Sequence, residues 1–548
     1  MATAEASPIP TRYLYIDAQT FFLPITMAQR MGGQPIFILS EDTQRTRGKD
    51  AQESNIAAGK AVAEAVRTTL GPKGMDKMLV SGSGDVVITN DGATILEEMD
   101  IEHPAAQMIV EVAETQEDEV GDGTTTAAVL AGQLLLKAQN LLDDDVHPTT
   151  IVEGYHEAAR IAQEVVDDQT LGGDIDAETL QKVAATSMTG KGTGDVDADT
   201  LAEHVVAAVE HVRDGSEVER DDVHIETKVG GSSGATELVE GFILDEEPVH
   251  DNMPRHVEDA TVLALDAALE VRETEVDAEF NITDVDQLNA ALESEEAGLR
   301  EYVEAIVDVG ADVVFCGDDI DDRVASWLAA EGILAFENVS DSDGRAIARA
   351  SGAKRVGTLR DLDASDLGHV DSVRIEKYGD DELAFVEGGA EARAVTLFVR
   401  GGTEHVVDEL ERAIEDAVDV VVATVESGEV VPGAGVVEIA IAQGVRDAAA
   451  SIEGRKQLAV EAFADAVEVI PRTLAENTGM DQIDALVDLR AANEDGRAGI
   501  IVSGETGEIA DPVEYGILDP AAVKREAVES ATEAATMIVR IDDVIAAD

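Results

Sequence analysis

The sequence predicts a multidomain α and α/β protein: a mainly helical domain built from both ends of the chain, with an α/β domain inserted between them. Three observations predict it. At 548 residues the chain exceeds the size at which one hydrophobic core keeps growing, so about three domains are expected. Ala, Val, Ile and Leu recur at helical spacing in the first and last thirds, and with only 3% aromatic residues those cores must be aliphatic. Between about residues 220 and 400, short apolar runs such as "ATVLALDAAL" and "GADVVFCG" alternate with helical stretches, as strands and covering helices do.

Residues 1–26, "MATAEASPIPTRYLYIDAQTFFLPIT", stand apart. They hold Tyr13, Tyr15, Phe21 and Phe22, with Glu5 and Asp17 as their acids. An upstream start assignment is the favoured account of this extension, and a flexible arm is the second. From Asp50 to Leu70 the spacing is helical, until "TLGPKGMDKM" breaks it with Gly71, Pro72 and Gly74. "KMLVSGSGDVVITND" predicts a hairpin around a Gly-Ser turn. Helical patterns resume from Pro104 to about Glu119 and again after Gly123. "AVTLFVRGG" closes the inserted region, and "LERAIEDAVDVVVATV" and "GRKQLAVEAFADAVEVI" return to long helices.

Acidic residues number 115 against 39 Lys and Arg, a formal net charge of -76, spread along the chain. Such a surface repels phosphate backbones, so nucleic acid is not an expected partner. A halophile's solvated surface accounts for it. No apolar run reaches the roughly 18 to 20 residues of a membrane helix, and no signal-peptide order occurs, so a cytoplasmic protein is expected. Cys316 is the one cysteine, which excludes an internal disulfide and a multi-cysteine zinc site.

In "VGDGTTTAAVLAG", glycines on both sides of Asp122 allow positive φ and close approach to a ligand. Thr124, Thr125 and Thr126 then open a helix whose free N–H groups suit phosphate oxygens. Asp122 fits such a place if a divalent cation bridges it to phosphate. By itself the stretch is equally a capped helix with a flexible entry loop. "TLGPKG", "TNDGATIL" with Asp91 and Gly92, and "VVPGAGVVE" repeat the form, glycine beside threonine or carboxylate at element ends, and suggest a nucleotide site distributed over the chain. No G-x-x-x-x-G-K-[ST] occurs, and "GAGVVE" lacks the third glycine of a dinucleotide fingerprint.

Five long stretches, in order, resemble the group II chaperonins of archaeal thermosome type. They are "AVAEAVRTTLGPKGMDKMLV", "TNDGATILEEMDIEHPAAQMIVEVAETQEDEVGDGTTTAAVLAG", "GGTEHVVDELERAIEDA", "GRKQLAVEAFADAVEVIPRTLAENTGMDQIDALVDLRA" and "SATEAATMIVRIDDVIA". The resemblance runs from about Met27 to the C-terminus. It implies the chaperonin fold: an equatorial ATP-binding domain at 27–174 and 434–548, an intermediate domain at 175–245 and 398–433, and an apical domain at 246–397 with a helical protrusion. It also implies an ATP-driven chaperone that folds non-native polypeptides in a closed double ring. That ring is homo-oligomeric or mixes paralogous subunits, and its lid is built in, so no separate lid protein is expected.

The implied cofactors are ATP and Mg²⁺, with K⁺ a further candidate. Leu70, Gly71, Pro72, Gly92, Gly123, Thr124, Thr125, Thr126, Gly435 and Asp519 would contact nucleotide, Asp519 on the ribose side where the family more often has Glu. Asp122, with Asp91, would hold the metal. Asp416 in "AIEDAVD" matches the aspartate that orients the attacking water; Asp91 helps place water or cation, and Lys191 in "TSMTGKG" senses the γ-phosphate. Ala434 stands where the family usually has glycine. The short β-prone ends "PIFILSE" and "RIDDVIAA" and the Lys77–Thr89 hairpin resemble strands that pair between ring neighbours, so the ends are expected to order only on assembly. The alternative class is a ring-forming holding protein with a vestigial ATP site. If the charge is a salt adaptation, raising KCl from about 0.1 M to about 3 M shrinks screening from about 10 Å to below about 3 Å and raises the melting temperature. A melting curve indifferent to salt contradicts that account.

Overall fold

The computed structural model describes residues 44–271, 285–379, 381–389 and 394–546, apart from residues 174, 195, 216 and 495. Residues 1–26, "PIFILSE" and the segment 272–284 lie outside these. Among the described residues no helix is long and apolar enough to cross a membrane. Side chains gather into three large hydrophobic cores.

The first core joins both chain ends. Helix Thr124–Asp143 is buried on most of its surface and packs on Lys49–Val66 and on Ala521–Arg540. It comes close to Lys49–Val66 because Gly132 has no side chain: a Cβ there would stand 2.2 Å from the Cβ of Ala63. Helices Pro104–Val120, Pro148–Asp168, Val436–Ala449 and Lys456–Val467 complete the layer. The second "helix" of the last third, expected as one run, is two, since a break at Glu468 separates Lys456–Val467 from Val469–Asn477.

The second core lies under a seven-stranded mixed sheet. Strands His256–Leu265, Val313–Cys316 and Leu334–Phe336 are parallel neighbours, joined by helices Val285–Val309 and Asp322–Glu331 as βαβ crossovers. Antiparallel strands Gly368–Tyr378, Asp381–Glu387 and Gly241–Leu244 extend the other edge.

The third core sits where the inserted region leaves and returns. Strand Val223–Val229 runs parallel to Val395–Gly401 in register, Val223 opposite Val395, and helices Ala177–Met188, Ala198–Val212 and Glu404–Ser427 cover it. Ion pairs tie this core to the second: Lys228 reaches Asp245 at 2.9 Å and Asp381 at 3.0 Å, and Arg349 reaches Asp222 at 2.8 Å.

The hairpin forms as expected, Lys77–Val80 against Val86–Thr89, with Met78 and Val80 exposed. Of the two β-prone ends, "PIFILSE" lies outside the described residues, and "RIDDVIAA" carries strand Asp543–Ala546, which pairs antiparallel with Gln44–Arg47 of the same chain.

Glu468 is fully buried at the break noted above and meets Arg446 at 2.7 Å, Arg490 at 2.5 Å and Arg472 at 3.3 Å. Burial works against its ionisation, yet the bonds and charges of Arg446 and Arg490 outweigh burial and hold its carboxyl below the ordinary 4.5. A depressed value in the folded state means the stabilisation is complete above about 4.5 and drains away as pH falls through the lowered value. Glu468→Gln is therefore expected to cost about 1–3 kcal/mol at pH 7, discounted because the arginines are partly exposed. Thermal melts should show that gap closing as pH falls below 4.5, and a pH-independent gap contradicts the assignment.

Candidate nucleotide site

The turn around Asp122 takes its shape from its glycines. Gly121 closes helix Pro104–Val120 at φ 66° and Gly123 opens Thr124–Asp143 at φ 85°, both left-handed. The Gly123 N–H donates to Oδ1 of Asp122 at 2.6 Å. Thr124 and Thr125 are buried in the first helical turn, where backbone N–H groups have no partner within the helix. Beneath the turn the fully buried Gln116 amide donates to the Asp122 carbonyl at 2.7 Å and to the Val523 carbonyl at 3.3 Å. One side chain thus pins the turn to the start of helix Ala521–Arg540.

Asp91 caps helix Gly92–Glu97 by accepting the Thr94 N–H at 2.7 Å, and its other oxygen accepts the Thr124 hydroxyl at 3.3 Å. Gly92 lies on Thr125: a Cβ would stand 2.4 Å from that hydroxyl and 2.9 Å from that nitrogen. In "TLGPKG", the Leu70 carbonyl accepts from Asn477 at 2.9 Å. Gly71 has φ 84°, and a Cβ there would overlap Leu474 at 2.3 Å. Leu474 also lies 3.6 Å from where a Gly435 Cβ would be, so it floors both glycine loops.

Strands Val430–Pro432 and Leu518–Pro520 pair and set Asp519 opposite Val431. Lys524 bridges Asp519 at 2.7 Å and Glu438 at 3.0 Å. Burial opposes its charge, but the two carboxylates outweigh burial and raise its pKa. Thr126 faces the same cavity as Glu438 and Lys524. Ala434 holds φ 59°, a left-handed backbone that favours glycine, and its methyl packs on Gly499, 2.8 Å from where a Cβ there would stand.

Lys191 and Asp416 come from the third core and form an ion pair whose side chains are 15% and 6% exposed. The Lys191 loop rests on "TLGPKG": a Cβ on Gly190 would be 3.0 Å from the Gly71 carbonyl, and the Asn90 amide donates to the Gly190 carbonyl at 2.6 Å. Helix Glu404–Ser427, which carries Asp416, presses Asp419 against Gly121, where a Cβ would stand 2.1 Å from the Asp419 Cβ. Asp419 in turn is paired with Arg220.

Carboxylates dominate the electrostatics. Burial raises the Asp122 carboxyl, with Lys191 pulling the other way. Burial also pushes Glu117 up to about 8, with Asp91 adding to the rise and Lys191 opposing it. Among the described residues no three histidine, cysteine or carboxylate side chains form a closed metal cage. This donor set suits a hard cation taking one carboxylate plus ligand oxygens.

The structure joins every sequence-singled residue into one connected set of contacts, spanning the ends of the chain and the third core. Sequence reasoning missed Gln116, Glu117, Asp419, Glu438 and Lys524. Gln116 had a signal: it is the polar member of a buried stripe with Val112, Ala113 and Val120. Glu438 ends the "VVPGAGVVE" stretch already singled out.

Comparison with known proteins agrees along nearly the whole chain. The model of the TCP-1/cpn60 chaperonin family matches residues 62–548. Thermosome subunit 3 of Haloferax volcanii is 70% identical over 524 residues, 95% of this chain and 100% of the relative. Thermosome subunit alpha of Halobacterium salinarum is 56% identical over 95% of this chain and 93% of its own length. Thermosome subunit beta of Methanothermobacter thermautotrophicus is 55% identical over 95% and 96%. The chain belongs to the TCP-1/cpn60 chaperonin family, in its group II, archaeal thermosome branch. It is an ATP-dependent chaperone of halophilic type, an ATPase coupled to protein folding.

Proposed function

We propose that ATP binds across the loops described above, with its phosphates on the N–H groups of Gly123 to Thr126 and its base and ribose toward Leu70 to Pro72, Gly92, Gly435 and Asp519. Mg²⁺ would be held by Asp122, with Asp91 at hand, and would neutralise phosphate charge. Asp416 and Asp91 orient the attacking water and accept its proton as the oxygen bonds to the γ-phosphorus and the bond to the β-phosphate oxygen breaks. Lys191 offers a point charge to the γ-phosphoryl group. The observation carrying this reading is that Asp416 is buried beside Lys191 on the helix of the third core whose Asp419 sits on Gly121, next to Asp122.

In this reading the first core is the equatorial domain (27–174 and 434–548), the third the intermediate domain (175–245 and 398–433), and the second the apical domain (246–397), which receives non-native polypeptides. Closure of the third core onto the first couples hydrolysis to the cavity in a double ring with a built-in lid, in the cytoplasm, with K⁺ as accompanying cation. Haloferax volcanii has thermosome subunits 1, 2 and 3, at 58%, 52% and 70% identity to this chain, which supports rings mixing paralogous subunits. A passive holding protein is disfavoured, since its site would have no need of the buried Lys191–Asp416 pair.

Asp416→Ala is expected to assemble and bind ATP while losing about 10²-fold or more in turnover, measured as phosphate release by particles of checked mass in multimolar KCl. Turnover near that of the parent refutes the assignment.

A further inference from the structure

The first turn of helix Ala521–Arg540 is pinned at its backbone. The Ala521 N–H donates to the Glu429 carbonyl at 3.1 Å, and the Val523 carbonyl accepts from Gln116 at 3.3 Å. From that turn Lys524 reaches inward, its side chain only 12% exposed. Nζ donates to Oε1 of Glu438 at 3.0 Å and pairs with Oδ2 of Asp519 at 2.7 Å. Glu438 stands in the first turn of helix Val436–Ala449, directly after the Gly-Ala-Gly loop, and its other oxygen, Oε2, is buried without a hydrogen bond. Gly433 of that loop closes another side of Asp519: a Cβ there would stand 3.2 Å from Oδ2 and 3.3 Å from Cγ. The Asp519 carboxylate is thus held through Oδ2 between the loop and one ammonium, which leaves Oδ1 to accept from elsewhere.

We infer that Lys524 is a positioning residue that sets ribose recognition, fixing the Asp519 carboxylate so that its open oxygen meets a sugar hydroxyl. The inference rests on the placement of Asp519 beside the ribose proposed above. Two carboxylates drawn to one cation repel each other once it is gone, and the less confined of them turns away. Asp519 is the less confined, because its partner Glu438 lies on a helix and is 6% exposed against 18%. A carboxylate makes a strong hydrogen bond to a hydroxyl only when the oxygen lies where that hydroxyl points. The competing account gives Lys524 no task but neutralising buried Glu438, and in that case ribose recognition is indifferent to it.

The test uses assembled particles of checked mass in multimolar KCl and compares kcat/KM for ATP with that for 2′-deoxy-ATP and 3′-deoxy-ATP. The parent is expected to prefer ATP over at least one of them by about 10-fold or more, the worth of a hydrogen bond to a charged group. Lys524→Met keeps the reach of the side chain without its charge, and is expected to shrink that preference to about 3-fold or less. If Lys524→Met fails to assemble because Glu438 is left buried and unpaired, Lys524→Met/Glu438→Gln, which removes that charge as well, decides by the same ratio. Parental preference in whichever of the two assembles overturns the inference. Asp519→Ala runs alongside. A parent without preference, or an Asp519→Ala particle that keeps it, sinks the ribose placement of Asp519 and this inference with it. A preference lost in Asp519→Ala yet kept without Lys524 sinks this inference alone.

Discussion

Everything at the site depends on one close approach, that of helix Glu404–Ser427 to the turn around Asp122. Asp419 sits on Gly121 where no side chain would fit, and the same helix carries Asp416 in its buried pair with Lys191. The approach is made possible by glycine at two places: Gly121 under Asp419, and Gly190 against the Gly71 carbonyl. Neither is a core contact in the usual sense. The cores make three packed bodies, and the glycines let two of them touch.

Charge sets the second constraint. In a chain with 115 acids, a cluster holding Glu117, Asp91, Asp122, Asp416 and Asp419 would repel itself unless cations were placed with care. Lys191, Arg220 and Lys524 are so placed, each bonded to one or two of the carboxylates around the loops. The remaining excess of negative charge leaves room for a cation to supply what these three basic side chains do not. The same self-repulsion over the outer surface is answered by salt in the solvent.

Much of this was legible from sequence because it is local. The hairpin, the helix after Gly123 and the switch from helical to mixed pattern near residue 220 each follow from spacing and turn residues. The inserted arrangement was legible too, because apolar helical periodicity returns after "AVTLFVRGG". What sequence could not supply was pairing across distance. Gln116 meets Val523 across 407 residues and Lys191 meets Asp416 across 225, and nothing in either neighbourhood marks the partner. Asp419 looks like a solvated acid on an amphipathic helix, and only the contact with Gly121 sets it apart. The strand in "RIDDVIAA" was legible as β-prone, but its partner, Gln44–Arg47, was not, because it lies almost 500 residues earlier in the chain.

The central claim is that Lys191 and Asp416 act as one unit on bound ATP. A double-mutant cycle in kcat, with Lys191→Met, Asp416→Ala and the pair together, tests it most directly. The account predicts large single losses and a double variant no slower than about the worse single, because either change alone already dismantles the unit. Losses that multiply, as for independent residues, would contradict it.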